Sequence, residues 1–196
     1  MAKAAPRAAF TRFGLPHRSQ SIRVGRGRAD ADPRSSACRC RWTVSSRDND
    51  ILRETHSRTG ANVVGKRMVD AGEHAWPEEA PCHTPVFVVT HEERGPWERP
   101  GGTTFHFVND GIEPALDRAR EVAGDRGVRI AGGGATILEY LDAGLVDEFT
   151  IALSPVLFGT GIRLFEGVAA GRVALEPVRA EPSPRVTHLT YAVRPR

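Results

Sequence analysis

From about Arg47 to the end of the chain, apolar positions fall into recognisable periods; before Val44 they fall into none. "SRDNDILRETHSRTG" reads as a helix, with Asp48 or Asn49 able to cap it and Gly60 to stop it. "ANVVGKRM" is a short buried strand that leaves through Gly65. "TPVFVVTH" predicts a second strand over Pro85 to Thr90, and "TTFHFVN" a third that alternates Phe105 and Phe107. In "DGIEPALDRAREVAG" the residues Ile112, Ala115, Leu116, Ala119, Val122 and Ala123 share one helical face. Asp110 and Glu113 stand at capping-box spacing there, and Gly124 can end the helix.

The strand "GVRIA" follows, then three glycines, then a helix from about Ala135 that buries Ile137, Leu138 and Leu141, with Gly144 and Leu145 placed as a left-handed cap. "DEFTIALSPVLFG" alternates Phe149, Ile151 and Leu153. Strands around Val173–Val178 and Val186–Val193, joined across "AEPSP", read as a terminal hairpin. Strands alternating with helices and finished by a hairpin predict an α/β fold: a mostly parallel sheet flanked by helices, with antiparallel strands at its edge.

Composition divides the chain at the same place. Residues 1–47 carry 11 Lys+Arg against 2 Asp+Glu, a balance of +9, while residues 48–196 carry 16 against 22, a balance of −6. The division predicts a basic segment over residues 1–45 and one folded domain over 46–196. The front segment cannot bury enough apolar surface to offset its chain entropy, so it reads as disordered. Its Arg, Ala, Pro and Gly, with scattered Cys and Trp, equally fit a GC-rich start read in a shifted frame. A nucleic-acid arm is the weaker reading, because no aromatic is interleaved with the arginines to stack on bases. No apolar run is long enough to span a bilayer, which leaves no membrane partner, and the N-terminus has no signal-peptide core. Cys38, Cys40 and Cys82 cannot all pair and match no zinc spacing, which favours a reducing cytoplasm.

Gly132, Gly133 and Gly134 join a strand to a helix at the cost of much backbone freedom. Bare N–H groups at a helix N-terminus form a site for an anionic group, and in a parallel sheet ligands gather at the carboxyl ends of strands. The pattern is not the dinucleotide fingerprint, since Ile137 stands where its third glycine would be, and no P-loop lysine follows. A second strand end, Gly65, is followed by Lys66 and Arg67, and a third offers Thr90 and His91. A phosphate-rich dinucleotide would use all three, and NADPH is the common one.

Taken in order, "GANVVGKRMVD", "TPVFVVTH", "IAGGGATILEYLDAGLVDEFTIALSPVLFGTGIRLFEG" and "VTHLTYAV" resemble the dihydrofolate-reductase-like family over about Asp48 to Arg196. The branch is the one similar to the reductase domain of the bifunctional riboflavin-biosynthesis deaminase-reductase. The resemblance implies NADPH bound across the sheet. Gly65, Lys66, Arg67 and Met68 would lie beside the adenosine phosphates, with Thr90 and His91 near the adenine. Gly132, Gly133 and Gly134 with Ala135 and Thr136 would cradle the pyrophosphate. It also implies hydride transfer to a pterin-like or ribosylaminopyrimidine-like small-molecule substrate, such as 5-amino-6-(5-phosphoribosylamino)uracil-type compounds. Members of the family begin with an apolar strand and a Ser-x-Asp-Gly-type turn at the nicotinamide. Residues 1–47 hold no such turn, so the first strand reads as missing, and the alternative function is a nucleotide-binding remnant with impaired catalysis.

Trp76, in the loop "GEHAWPEEAP", is expected to border the substrate, and so is Leu157 in "SPVLFGTGIRLFEG", the segment that by resemblance lines the active site. Asp70, Glu73, Glu78 and Glu79 read as a solvated acidic stretch rather than paired acid–base carboxylates. His74, His83, His91, His106 and His188 show no metal-ligand spacing, so no metal is expected. No nucleophile elbow occurs, no proton donor is legible, and a homodimer remains open.

Overall fold

A computed structural model describes residues 21–24, 46–78, 83–157, 159–161, 163–168, 171 and 173–195. In chain order these form β1 (Ser21–Val24), α1 (Ser46–Ser57), β2 (Thr59–Gly65), α2 (Lys66–Gly72), β3 (Val86–Val89) and β4 (Trp97–Arg99). Then come β5 (Thr103–Val108), α3 (Ile112–Ala123), β6 (Gly127–Gly132), α4 (Gly134–Asp142), β7 (Glu148–Leu153), β8 (Val173–Pro182) and β9 (Thr187–Pro195). One sheet holds all nine strands in the order β4-β5-β3-β2-β6-β1-β7-β9-β8. β2 runs parallel to β3 and β6, and β3 parallel to β5. β1 is antiparallel to both β6 and β7, so β7 runs with β6. β4 closes one edge antiparallel to β5, and the β8–β9 hairpin closes the other against β7. The expected architecture is present: a mostly parallel centre, flanking helices and a C-terminal antiparallel hairpin.

Two cores sit on opposite faces of the sheet. Ala61, Val63, Phe87, Val128, Ile130 and Phe149 pack against the apolar stripes of α3 and α4 on one face. Val64, Val86, Val88 and Phe105 pack against Val69 of α2 on the other, covered by Trp76 and Trp97. Tyr140 of α4 is wholly buried, and its hydroxyl donates to the carbonyl of Ile112 at 2.6 Å, tying α4 to the start of α3. Burial of that phenol pushes its pKa up. Gly124 ends α3 as expected, at a positive φ of 62°, and Gly144 (φ 69°) follows α4 with Leu145 N–H on the carbonyl of Tyr140 at 3.0 Å.

Several local expectations are corrected. Residues 21–24 do form a strand, and it lies between β6 and β7, so the sheet's first strand is not missing from its centre. Residues 1–20 and 25–45, with Glu79, Cys82 and Phe158, lie outside the described residues. Gly60 does not stop α1; it lies inside β2, where a Cβ would come within 2.6 Å of Ala123 Cα, so close packing of β2 on α3 is what requires a glycine. Asp110 does not cap α3, whose N-cap is Gly111 without a side-chain bond; Asp110 instead pairs with Arg118 at 2.7 Å. Val122 is half exposed at the margin of the face that buries Ala115, Leu116, Ala119 and Ala123, while Leu138 is only part-buried. Asp48 does not cap α1 either. It is buried in the helix's first turn with Oδ1 2.8 Å from His188 Nε2 of β9, a partner 140 residues away.

Candidate functional site

Strand register assembles the site. Gly65 is opposite Val89 across β2–β3, and Val64 is opposite Gly132 across β2–β6. The carboxyl ends of β2, β3 and β6 therefore form one edge, and Gly65, Thr90 and the Gly132–Gly134 loop meet there. All three sequence-predicted strand ends come together.

The four glycines have different physical reasons. A Cβ on Gly65 would collide with Thr136 Oγ1, so this residue is a glycine to let β2 approach α4. Gly132 has φ 136° and faces Met68, whose Sδ would be 2.8 Å from an added Cβ. The Gly132–Gly133 peptide is cis. Gly133 is extended (φ −70°, ψ 180°), a conformation open to any residue, and Gly134 begins α4. A Cβ on either would meet no described atom within 4 Å. Neither φ and ψ nor packing among the described residues calls for glycine at these two places.

The α4 N-terminus carries no side-chain cap among the described residues. Its N-cap makes no side-chain hydrogen bond, and no acidic residue stands in its first turn. The Ile137 N–H bonds the carbonyl of Gly133 at 3.0 Å, which leaves the N–H groups of Gly134, Ala135 and Thr136 without an intrahelical acceptor. Ala135 is exposed, whereas the Thr136 side chain is buried against Gly65. Met68 likewise packs inward. Within the predicted set, Thr136 and Met68 thus shape the loop from behind.

The cationic end is less free than the sequence suggests. Lys66 Nζ lies 2.6 Å from Asp70 Oδ1 and 3.3 Å from Glu92 Oε2. The hydrogen bond it donates to Asp70 first, then the one it donates to Glu92, holds the Lys66 ammonium above its ordinary pKa. Arg67 is exposed and has no ion-pair partner among the described residues. Thr90 is buried, its N–H bonds the Val108 carbonyl at 3.0 Å, and its Oγ1 accepts the Glu92 N–H at 3.0 Å. His91 is exposed beside it. Sequence reasoning missed Glu92, because the signal is a pairing between the ends of two strands rather than a local pattern.

The two residues expected at the substrate have different surroundings. Trp76 packs on Gly72 and stacks on Phe105 with ring centroids 5.7 Å apart, so it covers the second core; none of these partners belongs to the glycine loop. Leu157 is 87% exposed in the stretch after β7. Among the described residues no group of His, Cys, Asp or Glu could hold a metal ion, and no helix is long and apolar enough to cross a membrane.

An edge with two unexplained glycines, uncapped helix N–H groups and a free arginine fits a phosphate-bearing ligand by the chemistry of its donors. Fold and edge together define an α/β domain of the dihydrofolate-reductase-like class. More narrowly, residues 27–189 match the RibD C-terminal domain, and the chain belongs to that family. A riboflavin-biosynthesis-type protein from Shewanella sp. PV-4 superposes with TM-score 0.61 at 22% identity, over 78% of this chain and 85% of that one. The Thermotoga maritima diaminohydroxyphosphoribosylaminopyrimidine deaminase/5-amino-6-(5-phosphoribosylamino)uracil reductase gives 0.54 at 18% identity, over 79% and 50%. Enterococcus faecalis dihydrofolate reductase, complexed with NADP(H), gives 0.51 at 19%, over 78% and 83%. At such identities the likeness is one of fold. By sequence, the uncharacterized protein YyaP of Bacillus subtilis is 34% identical over 59 residues, 30% of this chain and 31% of that protein. The aligned stretch thus spans about a third of that relative's length.

Proposed function

We propose that this protein is an NADPH-dependent reductase acting on a pterin-like or ribosylaminopyrimidine-like substrate. The observation that carries the reading is the pair Gly133 and Gly134, which neither φ/ψ nor packing among the described residues requires and which front the uncapped N-terminus of α4. A pyrophosphate against that backbone explains both the missing side chains and the unfilled N–H groups of Gly134, Ala135 and Thr136. Gly65 and Thr136 hold the loop in place from behind. Arg67 is the cation offered to a 2′-phosphate, with Lys66 contributing only as far as its carboxylate partners release it. Thr90 and His91 close the adenine end. The bound cofactor would supply the hydride, and the chain's own task is to bind it, orient it and shield it. The substrate class follows the family and the reductase named among its structural neighbours.

The test is a fluorescence titration with NADPH and NADH, followed by cofactor oxidation with a panel of pterins and aminopyrimidines. Because one exposed arginine faces the phosphate alone, NADPH should bind on the order of tenfold more tightly than NADH. Arg67→Ala should remove most of that difference. Equal affinities in the unmodified protein would refute the assignment. Tight NADPH binding without oxidation by any panel member would favour the nucleotide-binding remnant.

A further inference from the structure

We propose that Glu92 sets cofactor preference by competing with the 2′-phosphate for Lys66. The inference rests on the NADPH reading above and adds a residue that opposes it. Lys66 Nζ is shared between Asp70, one helical turn along α2, and Glu92, which reaches it from the loop after β3. The loop holds Glu92 there at both of its ends. At the start, Glu92 N–H donates to Thr90 Oγ1, and Thr90 is itself buried and bonded to β5. At the far end, Arg94 pairs with Glu73 of the α2 C-terminal turn at 2.9 Å and lies 4.5 Å over the Phe107 ring.

A carboxylate on Lys66 stands in for a phosphate in charge and in acceptor geometry. A 2′-phosphate arriving beside Gly65 and Arg67 meets Glu92 as a like charge if it stays, and must displace it to reach Lys66. The Glu92 side chain is 67% exposed, so it can swing into water. Asp70 remains on the helix and keeps part of its hold. NADH brings no phosphate and loses nothing to this competition. A carboxylate at this end also accepts from ribose hydroxyls, as acidic residues do in NAD-binding sheets, which narrows the preference from the other side. Arg67 therefore favours NADPH and Glu92 works against it.

The experiment measures NADPH and NADH dissociation constants at low salt, where screening is weakest, for the unmodified protein, Glu92→Gln, Glu92→Lys and Arg67→Ala. Thermal melts confirm that each variant is folded, which an exposed loop position should allow. Glu92→Gln should tighten NADPH by about two- to fivefold, the scale of an exposed ion pair, and leave NADH unchanged or weaker. Glu92→Lys should raise the ratio further. If Arg67→Ala weakens NADPH while both Glu92 variants leave the NADPH/NADH ratio unchanged or lower it, the competition is disproved and the cofactor reading stands. If neither Arg67 nor Glu92 variants move the ratio, the phosphate does not lie here, and both readings fall.

Discussion

Gly134→Val should leave the protein folded while weakening NADPH binding by about a hundredfold or more. Position 134 opens α4 in ordinary helical geometry, and a Cβ there meets no described atom. Valine is a somewhat better helix former than glycine, by roughly a few tenths of a kcal/mol, because glycine has more unfolded-state freedom to lose. The melting transition should therefore move by only a few degrees. Binding is a different matter, because the isopropyl group stands where the pyrophosphate must approach the N–H groups. Each charge-assisted hydrogen bond lost is worth roughly 1.5–3 kcal/mol, and two of them account for the predicted factor. Gly65→Val is the contrasting variant. Its side chain would collide with Thr136, so it should lose stability as well as binding. An unchanged NADPH affinity in a folded Gly134→Val protein would show that no ligand approaches this backbone.

That contrast also shows what a sequence can carry. The glycines, and the strand and helix on either side of them, were legible because local rules produce them: a glycine run, a 3.6-residue stripe, a left-handed stop. Which glycine answers to which neighbour was not legible. Gly60, Gly65 and Gly132 are explained by Ala123, Thr136 and Met68, contacts made only when distant segments pack. The same distance hid Asp48 on His188, where Asp48 reads locally as a helix cap, and Glu92 on Lys66, which no local pattern marks. β1 was missed because "SIRV" is four residues among arginines without sustained alternation, and β4 because three residues set no period. Trp76 carries a partner the sequence does not show: it packs on Gly72 and stacks on Phe105, contacts set by the fold of the second core.

The second large effect concerns acid. Stability should fall by roughly 3 kcal/mol as pH drops from about 6.5 to about 4 through His56 alone. His56 lies near the end of α1, where burial first and the neighbouring Arg129 guanidinium second lower its pKa to about 4. Arg129 is itself buried on β6, so the two basic groups share a place where a second positive charge is unwelcome. The folded state therefore keeps the imidazole neutral where the unfolded chain, at its ordinary value of 6.5, has taken up a proton. Above that value both states are neutral and stability is independent of this ring. Between the two values the unfolded state binds more protons and is favoured. Below about 4 both are charged and the loss levels off. Other groups also titrate in this range, so the measurement is a difference between two proteins. His56→Gln keeps a polar side chain of similar size without a charge to gain, and denaturant titrations of both proteins at pH 7, 5.5 and 4.5 would expose the term. The unmodified protein should lose stability faster than the variant over that interval, with the gap opening between the first two points and widening at the third. Parallel curves would mean that the ring takes up its proton in the folded protein as easily as in the unfolded chain, and that Arg129 is screened from it.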